Sequence, residues 1–121
     1  MTKTTASDVK KARIVVEIDG VEHTLIPSPE AILILSAKYD GLQPLNAAIG
    51  RVNIHAIADV VNAGLGLENA EARAMLRAVA TSDIIVIGQK ASQFVNILAN
   101  GGRAVTPEKP GGDQEGKTGP L

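Results

Sequence analysis

Arg13-Ile14-Val15-Val16-Glu17-Ile18-Asp19-Gly20-Val21-Glu22-His23-Thr24-Leu25-Ile26 reads as two strands and the turn between them. Both runs are rich in β-branched residues and partly alternate. They meet across Asp19-Gly20, and Asp-Gly in a two-residue loop signals a type I′ turn, because both central positions need positive φ and these residues tolerate it. Ile14, Val16 and Ile18 then share one face, with Val15, Glu17 and Asp19 on the other. His23 falls on the side of Val21 and Leu25, or is wet if the hairpin edge is exposed. A lone hairpin is marginal in water, so its apolar face must pack on the rest of the chain.

Beyond Ile26 the pattern turns helical. Ser28 is placed to cap a helix that has Pro29 at its first position and Glu30 near the positive end of the macrodipole. This helix carries Ile32, Leu35 and Tyr39 along one stripe and stops at Asp40-Gly41. Taken alone, Ile32-Leu33-Ile34-Leu35 could be a buried strand; the capping residues favour helix. A short helix over 44–50 has Leu45 and Ile49 four apart. Asn53 can cap a third, in which Ile54, Ile57, Val60 and Val61 recur at helical spacing and Gly64-Leu65-Gly66 is the C-terminal punctuation. A fourth, over 69–80, sets Ala72, Met75, Leu76 and Val79 on one side. The fifth begins after Thr81-Ser82-Asp83 and runs to Asn100, before Gly101-Gly102. Ile84, Ile87, Ala91, Val95 and Leu98 form its stripe, and Ile85, Val86, Phe94 and Ile97 broaden it. Such a helix is either a central core element or a face offered to a partner. The predicted fold class is α+β: an N-terminal hairpin (13–26) packed on a small bundle of about four to five helices (29–100).

At 121 residues the chain is one small domain's worth of sequence. The predicted organisation is a flexible polar leader (1–12), a single globular domain (13–102) and a disordered Gly/Pro-rich tail (103–121). Aromatic residues supply only 2%, so the core must come from Ile, Val, Leu and Ala. A net charge of -1 gives no electrostatic reason to expect nucleic acid as a partner. The lack of cysteine excludes a disulfide framework, a thiol nucleophile and a thiolate metal site. The polar start lacks the apolar core of a signal peptide, and no apolar run approaches the roughly 18 residues of a membrane span. A cytoplasmic protein without a membrane partner is expected.

Catalytic chemistry is hard to place. His55 and Asp59 lie four apart on the third helix and could approach one another, but two ligands do not close a metal site. Gly64-Leu65-Gly66 comes after a helix, not a strand, and lacks the third glycine of a dinucleotide fingerprint. Ser28, Ser36, Ser82 and Ser92 have no sequence neighbour that marks a nucleophile. Glu68 and Glu71 belong to a helix start, where acids favour the dipole. Lys3, Lys10, Lys11 and Arg13 make a mildly basic arm. No catalytic, cofactor or metal residue is assigned, no cofactor is expected, and a non-enzymatic protein is predicted.

The hairpin from Val15 to Leu25, its Ile18-Asp19-Gly20 turn, and the later Val60-Val61-Asn62-Ala63-Gly64-Leu65 together resemble the small tail protein of gene transfer agents and related tailed bacteriophages. That family is described in part as tail tube protein and in part as tail assembly chaperone. The likeness covers roughly residues 13–100. Family members often carry Leu-Glu late in the first helix, where this chain has Ser36-Ala37-Lys38-Tyr39-Asp40. The resemblance implies a non-enzymatic protein of virion morphogenesis in the cytoplasm of a bacterial host. It implies the tape-measure protein of a phage or prophage as partner, with the tail tube protein as a further contact. A tape measure exposes amphipathic stripes, which a small helical protein can cover by helix-in-groove packing. The expected contact surface is the broad apolar fifth helix, through Ile85, Val86, Phe94 and Ile97, with Leu33 and Ile34 of the first helix as second choice.

Three other readings compete. A structural tail subunit would polymerise into rings, but tube walls need a large sheet and one hairpin is predicted. A nucleic-acid regulator would send the third helix into a groove, yet Asp59 is its single charged residue and is acidic. A small helical binding module of another kind is the third. Pairing of the fifth helix with its own copy stays open.

Overall fold

The computed structural model describes residues 12–103. The expected leader and tail lie outside the described residues, save Ala12 and Arg103. The fold is α+β, a two-stranded antiparallel hairpin and then five helices. In chain order these are β1 (Ile14–Ile18), β2 (Val21–Leu25), α1 (Pro29–Tyr39), α2 (Leu42–Gly50), α3 (Ile54–Leu65), α4 (Asn69–Ala80) and α5 (Ile84–Ala99).

The hairpin register runs from Ile14 opposite Leu25 to Ile18 opposite Val21. Asp19 has φ 55° and Gly20 φ 79°, the paired positive values of a type I′ turn. Val16, Ile18 and Leu25 are buried on the inward face, while Val15, Glu17, Glu22 and Thr24 face outward and are exposed. β1 lies against α5 and β2 against α3. The β2–α3 approach is close because Gly64, in the last turn of α3, has no side chain. A Cβ there would stand 2.8 Å from Leu25 Cβ and 3.3 Å from Leu25 Cα. The Ile26 N–H donates to the Gly64 carbonyl at 3.0 Å and pins the end of the hairpin there. Gly66, with φ 71°, is the left-handed cap, so the two glycines do different work.

Local signals set the helix ends. Ser28 Oγ accepts from the Ala31 N–H at 3.0 Å, with Pro29 opening α1. Asp40 ends α1 in the left-handed region, and the Gly41 N–H returns to the Ser36 carbonyl. Asn53 and Asp83 cap α3 and α5 with side-chain oxygens. Helix α2 begins at Leu42, two residues before the predicted start; Pro44 sits in its first turn, where a missing N–H leaves no intrahelical bond unmade.

Helix α5 is the central element, packed against β1, α1, α2, α3 and α4. Phe94 is the largest of the fully buried side chains, among Leu35, Leu45, Ile57, Val60, Val61, Val79, Ile87 and Leu98. With one Phe and one Tyr in the chain, the core is aliphatic, as the composition required.

Candidate interaction surface

The interest of α5 lies in how its faces divide. At 100° per residue, Ile87, Gly88, Ala91, Phe94, Val95 and Leu98 turn inward. Ile85 and Val86, on the first turn, are 56% and 45% exposed. Phe94 and Ile97 are 0% and 6% exposed, so the expectation that they contact a partner is corrected: both are core residues. The cause is the position of the helix. Its C-terminal half is flanked by several neighbouring elements, so its buried apolar arc is wider than one stripe; Gln89, Gln93 and Asn96 face solvent, and large aliphatic side chains are exposed only in the first turn.

Two depressions flank that turn. On the α2 side is an open groove of about 220 Å³, lined by Ile49, Val52, Ile57, Ile84, Ile85 and Gly88 among others, none of its lining residues charged. Its floor is tight, since a Cβ on Gly88 would lie 3.3 Å from Ile57 Cδ1. On the hairpin side, Val86 shares a depression of about 390 Å³ with Glu17, Asp19, Gly20, Thr81, Ser82 and Asp83. Hydrogen bonds fix this corner. The Asp19 N–H donates to Ser82 Oγ at 3.0 Å, the Ser82 hydroxyl donates to the Ala78 carbonyl at 2.6 Å, and the Val86 N–H donates to Asp83 Oδ1 at 3.3 Å.

Leu33 and Ile34 are exposed on α1, as a contact role needs, but they belong to another face. Ile34 lines a groove of about 540 Å³ between α1, α3 and the start of α4, together with Leu35, Lys38, Asp59, Asn62 and Leu67. At the edge formed by Asp59, the Tyr39 hydroxyl donates to Asp59 Oδ2 at 2.5 Å, and Lys38 Nζ lies 3.1 Å from the same oxygen. Burial first, then the hydrogen bond and the negative charge of Asp59, raise the Tyr39 phenol well above its ordinary range, so it stays protonated. Asp59 is therefore engaged by α1 and not by His55, which is exposed. Among the described residues, no group of three His, Cys, Asp or Glu could hold a metal ion, and no helix is long and apolar enough to cross a membrane.

Sequence reasoning missed Val52. It has φ 59°, rare for a β-branched residue, and is 41% exposed beside Ile85. The signal was the two-residue link Arg51-Val52, which must turn the chain from the end of α2 to the Asn53 cap of α3. Comparison with protein-family models, curated proteins and solved structures finds no match to this chain.

Proposed function

We propose that this protein is a non-enzymatic tail assembly chaperone of a bacteriophage, prophage or gene transfer agent, and that it binds the tape-measure protein during tail morphogenesis in the host cytoplasm. One observation carries the reading: Ile85 and Val86, adjacent large aliphatic residues, stand exposed on the first turn of a helix whose later large apolar residues, from Ile87 to Leu98, are buried in the core. They are held on a rigid element beside an uncharged groove, which suits packing against an apolar helical stripe. The resemblance of residues 13–100 supplies the identity of the partner. A structural, tube-associated subunit of the virion is the second reading. It is favoured less because the sheet among the described residues has two strands.

The test is co-expression with the long helical tape-measure protein of the same phage or prophage, monitored by light scattering. The expected result is a tape measure soluble only in a complex with several copies of this protein, with Ile85→Lys abolishing the effect. A tape measure that stays insoluble while this protein alone forms rings or filaments would overturn the chaperone reading in favour of the structural one.

A further inference from the structure

We propose that Val52, Ile85 and Val86 seat an amphipathic helix whose apolar stripe is flanked by Lys or Arg on the side facing the hairpin turn. This rests on the binding reading above and adds the partner's charge and orientation.

The apolar side of the seat begins at Val52. Its left-handed backbone is held by two hydrogen bonds, from the Val52 N–H to the Ile49 carbonyl at 2.8 Å and from the Asn53 N–H to the Ala48 carbonyl at 3.1 Å. Glycine or asparagine would take that conformation with little strain. The chain instead places a β-branched aliphatic side chain there, which the core does not bury and which faces the same groove as Ile85. Strain retained for an exposed apolar residue is expected where that residue has a contact to make.

The charged side of the seat is the opposite flank. Glu17, Asp19 and Asp83 line the same depression as Val86, and Glu22 lies directly across the ladder from Glu17. Ile18 and Val21 close the two-residue turn, so the next pair, Glu17 and Glu22, is the non-hydrogen-bonded kind, in which side chains come closest. Like charges opposed there repel. Among the described residues the ion pair is Lys38–Asp59, so none of these four carboxylates has a cation partner. A helix carrying Lys or Arg along one edge of its stripe would relieve the repulsion while its apolar residues enter the uncharged groove. A second copy of this chain does not fit as well. An isologous contact through this patch would bring in another set of the same carboxylates and no cation from the lining residues of either depression.

The probe is a fluorescein-labelled helical peptide of leucine and lysine with a helical apolar stripe, compared with the same peptide bearing glutamate for lysine. Anisotropy should show the lysine peptide binding the full chain at least about tenfold more tightly than the glutamate one, with affinity falling as salt rises. Glu17→Gln with Glu22→Gln should weaken it about five- to tenfold, while Glu30→Gln with Glu68→Gln, in the α1–α3–α4 groove, should change it less than about twofold. Val52→Gly should raise the melting temperature yet weaken the peptide about tenfold, a split that a purely structural Val52 would not give. Equal binding of the two peptides, equal losses from both glutamine pairs, or unchanged affinity in Val52→Gly would each overturn the proposal. So would a concentration-dependent dimer that excludes the peptide. If Ile85→Lys abolishes tape-measure solubility while the glutamine variants bind normally, this inference fails and the chaperone reading stands. If the lysine peptide binds as expected and no tape measure is solubilised, the chaperone reading fails and the surface stands.

Discussion

Replacing Gly64 by alanine sets two effects of opposite sign against each other. Alanine is the better helix former by roughly 0.8–1.0 kcal/mol, and Gly64 lies in the last turn of α3 with ordinary helical φ, so propensity alone forecasts a gain. Packing forecasts a loss. The new methyl would sit 2.8 Å from Leu25 Cβ and 3.3 Å from Leu25 Cα, so a far side-chain end cannot simply rotate away. The strand would have to retreat, and it is tethered by the Ile26 N–H to the very carbonyl of Gly64. Overpacking of this kind costs about 1–3 kcal/mol, and losing the tether adds roughly 1 kcal/mol, so packing wins by about 1–3 kcal/mol net. Gly50 is the internal control, because a Cβ there meets nothing within 4 Å and its φ is not positive. Gly50→Ala should stabilise by about 0.4–1 kcal/mol. Urea unfolding tracked by circular dichroism reads both, as a fall in midpoint for Gly64→Ala and a rise for Gly50→Ala at unchanged slope. A Gly64→Ala variant as stable as the parent would refute the account of how β2 meets α3.

Phe94→Ala should cost about 3–5 kcal/mol, whereas Ile85→Ser should stay within roughly 0.5 kcal/mol; chemical denaturation separates them, and similar costs would contradict the division of α5 into a core face and a free turn. Tyr39 is the single tyrosine and there is no tryptophan, so phenolate absorbance reports it alone; its midpoint in the folded protein should lie above 10, and a midpoint at or below 10 would contradict the Asp59 contact. Because the folded value is raised, the stability it contributes is complete below pH 10 and is lost as pH climbs above it towards the folded midpoint, and Tyr39→Phe should flatten that alkaline decline. Ser82→Ala should speed hydrogen exchange at the Asp19 amide by loosening the hairpin turn, with little effect at Ile26; unchanged exchange at Asp19 would show that the Ser82 bond does not hold the corner.

Much of the architecture was legible because short-range chemistry wrote it. Asp19-Gly20 set the hairpin and its register, and Ser28-Pro29, Asn53 and Asp83 announced helix starts through bonds that span three residues. The contents of the surface were half legible. Ile85, Val86, Leu33 and Ile34 are exposed as expected, because they lie off the inward stripe of their helices. Phe94 and Ile97 were misplaced because the width of a helix's buried arc depends on how many neighbours enclose it, which no local period records. Gly64 looked like punctuation, and its neighbour Leu25 is far away in sequence. Tyr39 and Asp59 meet across 20 positions, and nothing near either residue foretells it.

The bond from the Asp19 amide to Ser82 spans 63 positions, and β1 finds its cover in α5, the last helix of the described chain. On the ribosome this imposes an order. At roughly 5–20 residues per second, about 4–15 s pass between the synthesis of Leu25 and that of Ala99. Through that interval the apolar sides of Val16 and Ile18 have no α5 to rest on, and a hairpin by itself is marginal. The nascent chain therefore carries an uncovered β-strand for most of its synthesis, and folding completes only when nearly all of the described sequence has emerged.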